Sequence, residues 1–174
     1  PLRGLKPANL SFTVAKLVPG TAGASTQWVS YINRAESPTT GVGWGTAPQR
    51  QATSEGAGTT GATFTDNGDG TYSFRFSKEL GAYTASGSPG PGPAVTFDPA
   101  LTHRLGFEIR GTGLNATRNP VWTWVPATGS TTTLPARYDV VNTAECAACH
   151  DKLAFHGGPR TDVQYCVTCH NPGT

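Results

Sequence analysis

The sequence predicts a mainly β protein: an immunoglobulin-like or Greek-key β-sandwich or barrel, followed by a small module with one short helix. Glycine (22) and proline (14) are abundant among the 174 residues and cluster between short apolar runs. Charged residues make up 14% where ~25% is usual, which excludes the charged helices of a bundle or coiled coil. All four cysteines lie between positions 146 and 169. This asymmetry predicts a β scaffold over 1–137 and a separate module over 138–174.

Charge and hydropathy exclude two classes of partner. The formal net charge is +2 and no run of Lys or Arg occurs, so we expect no nucleic-acid partner. No apolar stretch approaches ~18 residues, so we expect no membrane span. Methionine is absent even at position 1, which predicts a processed or excised chain.

Short alternating or aromatic runs predict the strands of the scaffold. The clearest is a hairpin around the Asp/Asn/Gly turn at 66–70, because Tyr72, Phe74 and Phe76 follow it on one face at period two. The Ser/Gly/Pro stretch at 86–93 predicts a surface loop. The predicted strands are 10–14, 27–32, 62–65, 71–76, 101–110, 121–125 and 131–134.

The run at 101–110 bears directly on function. Leu101, His103, Leu105, Phe107 and Ile109 alternate with polar residues or glycine. A strand with this pattern places His103 in phase with the buried face.

The C-terminal module contains two C-x-x-C-H motifs, at 146–150 and 166–170. This pattern indicates c-type haem attachment. Two thiols one helical turn apart can bond the two vinyl groups of one porphyrin, and the adjacent imidazole can then bind its iron. The predicted residues are Cys146, Cys149 and His150 for one haem c and Cys166, Cys169 and His170 for a second.

Two other interpretations of the cysteines stay open. Sixteen residues separate the pairs, so C-x2-C-x16-C-x2-C also fits a four-cysteine zinc ribbon. The second alternative is a disulfide or a dithiol redox pair. The histidine that follows each pair favours haem, because a four-thiolate site has no use for it.

Two haems have four axial positions, and the chain has four histidines and no methionine. Bis-histidine ligation of both irons is therefore possible and Met/His ligation is not. We expect His150 and His170 as proximal ligands, which leaves His156 and His103 for the distal sides.

A helix is predicted over about 144–156, capped by Asn142 or Thr143 and ended by Gly157, Gly158 and Pro159. On it His150 and His156 point in different directions and cannot bind one iron. We therefore expect His156 on the second haem and His103 on the first, with a core histidine as the alternative for His103. Arg160 and Lys152 are candidates to pair with haem propionates, or are solvated surface charges.

Residues 146–160 and 165–172 resemble the first haem pair of the outer-membrane decahaem c-type cytochromes, the OmcA/MtrC group. Residues 101–110 and the turn at 66–72 resemble the β domain that precedes those haems, so the resemblance covers about 60–174. It implies extracellular respiratory electron transfer through closely spaced bis-histidine haems. It also implies that the β domain is a scaffold and interaction surface.

We thus expect a dihaem cytochrome for outer-sphere electron transfer. The alternative is a haem enzyme with one open iron site, a peroxidase or a small-molecule or metal reductase. Expected partners are other redox proteins or haem subunits and an extracellular metal acceptor. Haem c attachment implies export, so we expect an extracellular or outer-membrane location, with the periplasm as the alternative.

The decahaem family has ten haems where this chain has two motifs. This difference predicts either a fragment or a short relative. For a short relative, the second haem near the chain end predicts a homo-oligomer or head-to-tail filament with a continuous haem chain.

Overall fold

The computed structural model describes residues 2–38, 47–80, 94–113, 116–131 and 142–170. Its helices are α1 (Thr143–Ala147) and α2 (Val163–Cys166), and a 3-10 turn at Pro7–Asn9 precedes the first strand. No helix within the described ranges is long and apolar enough to cross a membrane. The strands are β1 (Leu10–Val18), β2 (Gln27–Ser30), β3 (Asn33–Glu36), β4 (Gln49–Ala52), β5 (Glu55–Gly56), β6 (Thr63–Asp66), β7 (Tyr72–Arg75), β8 (His103–Ile109), β9 (Val121–Val125) and β10 (Ser130–Thr131).

The main sheet is antiparallel, with strand order β10-β9-β8-β1-β2 and with β5 paired to the start of β1. Its central pair runs from Leu10 opposite Ile109 to Lys16 opposite His103. Strands β3–β4 and β6–β7 form two further two-stranded sheets. The predicted mainly β fold is confirmed.

The β6–β7 hairpin is formed as predicted and covers one face of the main sheet. Phe64 pairs with Phe74, and the ring of Phe74 stacks on Phe12 of β1 with centroids 4.1 Å apart. In the connecting turn, the Asp69 carboxylate accepts from the Thr71 amide at 2.8 Å. Asx turns of this kind explain why Asp, Asn and Gly are concentrated at 66–70.

The opposite face of the main sheet is also buried. On β1, Thr13 and Ala15 are 0% exposed, and on β8, Arg104 and Glu108 are 1% and 0% exposed. Arg104 and Glu108 are on the polar side of the alternation at 101–110, yet both are buried. The face is covered because residues 159–168 of the C-terminal module lie across it.

The predicted helix over 144–156 is much shorter in the structure. Asn142 is its N-cap, as expected, and exchanges hydrogen bonds with Glu145 in a capping box. The helix α1 ends at Ala147 because the chain tightens through the C-x-x-C-H turn. His156 lies outside it, in a left-handed conformation at φ 54°.

Three predictions fall outside the described residues. They are the loop at 86–93, most of the strand at 131–134 and the boundary between 137 and 138.

Candidate haem-binding site

The two C-x-x-C-H motifs adopt the same local structure. Asn142 caps the first copy and Asp162 caps the second, each four residues before the first cysteine. In both copies the amide of that cysteine donates to the carbonyl of the capping residue, at 3.4 and 3.1 Å. The amide of the histidine donates to the carbonyl of the first cysteine, at 2.9 Å in both. Each motif is therefore one compact turn that presents two thiols and an imidazole together.

The surroundings of the two copies differ. In the first, Cys149 and His150 are exposed. In the second, burial raises the pKa of the Cys166 and Cys169 thiols. Thr168, between them in the sequence, is 0% exposed. The second copy is thus held against the β domain, while the first projects from it.

Specific contacts fasten the second copy to the main sheet. The hydroxyls of Thr168 and Thr13 are hydrogen-bonded at 2.8 Å, and Thr168 also donates to the Tyr165 carbonyl at 2.7 Å. The ring of Tyr165 lies over Gly106 on β8, where an added Cβ would come 2.8 Å from it. Val167 packs against the apolar cluster of Ala15, Leu17 and Trp28.

His156 and His170 lie close together. Their ring centroids are 5.9 Å apart. His156 begins a tight loop that is closed by a β-bridge in which the Phe155 amide donates to the Arg160 carbonyl at 2.9 Å. Partial desolvation lowers the pKa of His156, and the charges of Arg160 and His170 lower it further. The charge of Glu108 raises it. The neutral imidazole, the form that binds a metal, is therefore favoured.

This pair fits one haem iron. Metal–nitrogen bonds of about 2.0–2.1 Å, added to the ring dimensions, separate the centres of two opposed imidazoles by about 6 Å. The structure places His156 close to His170 of the second motif, although the helix predicted over 144–156 ends at Ala147.

The expectation that His103 ligates the first haem is corrected. His103 is 0% exposed. Its Nε2 lies 2.7 Å from Tyr31 Oη, and its Nδ1 lies 2.8 Å from the Leu101 carbonyl oxygen. Both ring nitrogens are engaged inside the β domain, so neither faces a C-x-x-C-H motif.

Two residues that hold the second motif have no signal in the sequence. Glu108, on the polar side of the alternation in β8, accepts from Arg160 Nε at 2.7 Å. Asn119 donates to the Pro159 carbonyl at 3.0 Å and accepts from the Thr161 amide at 2.7 Å. Arg160 therefore pairs with a protein carboxylate rather than lying free for a haem propionate.

The geometry does not match the zinc alternative. All four cysteines lie in the described part of the chain and none forms a disulfide. Within that part, no three or more of His, Cys, Asp and Glu are grouped as ligands of one metal ion. A zinc ribbon needs four such ligands around a single ion.

Comparison with known proteins assigns the chain to a family. The family model for the OmcA-like N-terminal domain matches residues 9–131. The model for domains II/IV of MtrC/MtrF-like outer membrane cytochromes matches residues 138–174. The chain belongs to the OmcA/MtrC family of outer-membrane multihaem cytochromes.

Individual members of the OmcA/MtrC family agree with this assignment. The chain is 32% identical, over 181 aligned positions, to the multiheme cytochrome MtrC of Shewanella baltica (strain OS185). The alignment covers 99% of this chain and 23% of that protein.

Two solved structures share the fold. The crystal structure of the outer membrane decaheme cytochrome OmcA matches with a TM-score of 0.75 and 30% identity, over 97% of this chain and 25% of that one. MtrC from Shewanella baltica OS185 matches with a TM-score of 0.65 and 26% identity, over 94% and 24%. The chain therefore spans about a quarter of the length of these relatives.

Proposed function

We propose that this chain binds two haem c groups and carries electrons between redox partners by outer-sphere transfer. The observation that carries the proposal is the duplicated C-x-x-C-H turn together with the 5.9 Å spacing of His156 and His170. In each copy the two thiols would hold one porphyrin through thioether bonds, formed by addition to its two vinyl groups. The bound haem supplies an iron that alternates between ferric and ferrous states.

The four histidines have different roles in this proposal. His170 and His156 would together hold the iron of the second haem. His150 would hold the iron of the first haem. His103 stays in the β core as a structural residue.

Location and partners follow from family membership and exposure. OmcA/MtrC relatives are outer-membrane cytochromes, which supports a place at the outer-membrane surface. The exposed first motif, with Cys149 and His150, is the side on which we expect a redox protein, another haem subunit or an extracellular metal acceptor to dock. Head-to-tail assembly stays a prediction, which light scattering of the concentrated holoprotein tests.

The test is the intact mass of the holoprotein made with a cytochrome c maturation system. We expect two covalently bound haems in the wild type. The double variants Cys146→Ala/Cys149→Ala and Cys166→Ala/Cys169→Ala should each retain one. A wild-type mass without bound haem overturns the proposal, and so does a variant that keeps both.

A second candidate function follows from the position of His103. With His103 buried, none of the four histidines remains for the distal side of the first iron, and the chain has no methionine. If no ligand from elsewhere completes this iron, the chain can act as a small-molecule reductase or peroxidase. Carbon monoxide added to the reduced protein tests this, because only an open iron changes its spectrum. An unchanged spectrum eliminates the enzyme.

A further inference from the structure

We propose that Glu108 is a positioning residue that sets the separation of His156 and His170. The inference rests on the proposed function, in which these two histidines hold one haem iron. It assigns to a strand of the β domain a role in the ligand geometry of the second haem.

Glu108 lies on the face of β8 that the C-terminal module covers. This carboxylate is 0% exposed on β8 and faces the C-terminal module. Its Oε2 accepts from Arg160 Nε at 2.7 Å and from Tyr165 Oη at 3.5 Å. Its Oε1 accepts from Arg110 Nε at 2.9 Å. Oε2 therefore contacts the C-terminal module, and Oε1 contacts Arg110 of the β domain.

Arg160 and Tyr165 belong to the two segments that contain His156 and His170. Arg160 closes the loop that begins at His156, through the bridge between Phe155 and Arg160. Tyr165 lies in α2, and the turn that follows α2 ends at His170. The single atom Oε2 of Glu108 thus contacts both ligand-bearing segments.

Breaking the ion pair between Glu108 and Arg160 is costly. A buried carboxylate that neutralises a largely buried guanidinium has no cheap substitute, because breaking the pair leaves an uncompensated charge away from water. Arg160 keeps only 19% side-chain exposure. Without its partner it must move toward solvent, and the loop that positions His156 moves with it. His156 is already in a left-handed conformation that needs support from its surroundings.

The experiment uses Glu108→Gln in the holoprotein, because glutamine keeps the shape and removes the charge. We expect two haems by intact mass, as in the wild type, but loss of the ferric low-spin EPR signal of one of them. We also expect a shift in only one of the two redox transitions. A purely structural role would lower the melting temperature and leave both readouts unchanged.

Arg110→Gln is the matched control. It removes the other arginine on the same carboxylate, but Arg110 is half exposed and belongs to the β domain. Its EPR signals should be those of the wild type.

The outcomes separate the two proposals. A wild type without two haems overturns the proposed function. A wild type with two haems and a Glu108→Gln variant with unchanged EPR and redox transitions overturns the role of Glu108. If Glu108→Gln does not mature, Arg160→Gln breaks the same link from the module side. It must then give the same loss of one low-spin signal, and an unchanged spectrum again overturns the inference.

Discussion

The imidazoles of His156 and His170 lie with their ring centroids 5.9 Å apart, although thirteen residues separate them in sequence. Two features bring them together. The loop after His156 reverses through Gly157 and Gly158, both at positive φ. The second C-x-x-C-H turn is then held on the main sheet by buried Tyr165. The spacing matches two ligands on opposite faces of one iron.

Replacing His156 by asparagine should remove one axial ligand and nothing else. Asparagine tolerates the left-handed conformation at φ 54°, so the loop should keep its path. We expect both haems to stay attached, while one of the two ferric irons changes from low-spin to high-spin. Absorption and EPR spectra of the ferric protein measure this.

His103→Gln is the control for that prediction. Because both nitrogens of His103 are engaged within the β domain, its loss should leave both spin states as they are in the wild type. A high-spin iron that appears in His103→Gln and is not present in the wild type would contradict its structural role.

The stability of the β domain should fall in mild acid because of His103. Burial lowers the pKa of His103 below the usual 6.5. The charge of Lys16 lowers it further, whereas the hydrogen bond to Leu101 and the charge of Asp98 raise it. The unfolded chain therefore binds a proton at higher pH than the folded one. The contribution of neutral His103 is fully present above pH 6.5 and is lost as pH falls through its folded pKa.

Denaturant titrations of the wild type and His103→Gln between pH 7.5 and pH 5 measure this effect. The variant should lose about 1–3 kcal/mol at neutral pH, since Tyr31 Oη loses a buried partner. Its free energy of unfolding should also depend less on pH. Parallel curves for the two proteins would show that another group is responsible.

Local signals in the sequence predicted the parts of the fold that follow a simple period. The hairpin at β6–β7 and the strands β1 and β8 have alternating side chains or Asx turns, and they formed. Strands β3 and β4 (sequences NRAE and QRQA) have almost no apolar residues. They pair as a partly exposed ribbon that no apolar pattern marks.

The missed features of the site depend on distant contacts. Arg104 and Glu108 have the pattern of a solvated face and are buried only because a segment about fifty residues later covers them. His103 was correctly placed in phase with the core. That placement makes it a poor iron ligand, because this core lies on the hairpin side of β8 and not on the side of the module.

A hydroxyl pair should account for part of the attachment of the second motif to the sheet. Thr168→Val leaves the hydroxyl of Thr13 buried without this partner, where the two oxygens are now 2.8 Å apart. We expect a loss of about 1–3 kcal/mol in the free energy of unfolding of the holoprotein. Circular dichroism during guanidinium unfolding measures it.

The double variant Thr13→Val/Thr168→Val completes the cycle. With both partners apolar and of similar shape, part of the loss should be regained, by an interaction energy of about 0.5–3 kcal/mol. Strictly additive losses would show that the two hydroxyls are not coupled.

Gly106 should be required because the module approaches the sheet backbone at this point. An added Cβ would lie 2.5 Å from Thr13 Oγ1 and 2.8 Å from Tyr165 Cδ2, closer than atoms in van der Waals contact. Gly106→Ala should therefore push α2 away from β8 and cost about 1–3 kcal/mol. Hydrogen exchange should then show faster opening of the amides of residues 163–169. Gly113→Ala is the matched control, because no atom lies within 4 Å of its added Cβ. Equal stability losses in the two variants would show that close packing under Tyr165 is not the reason for the glycine.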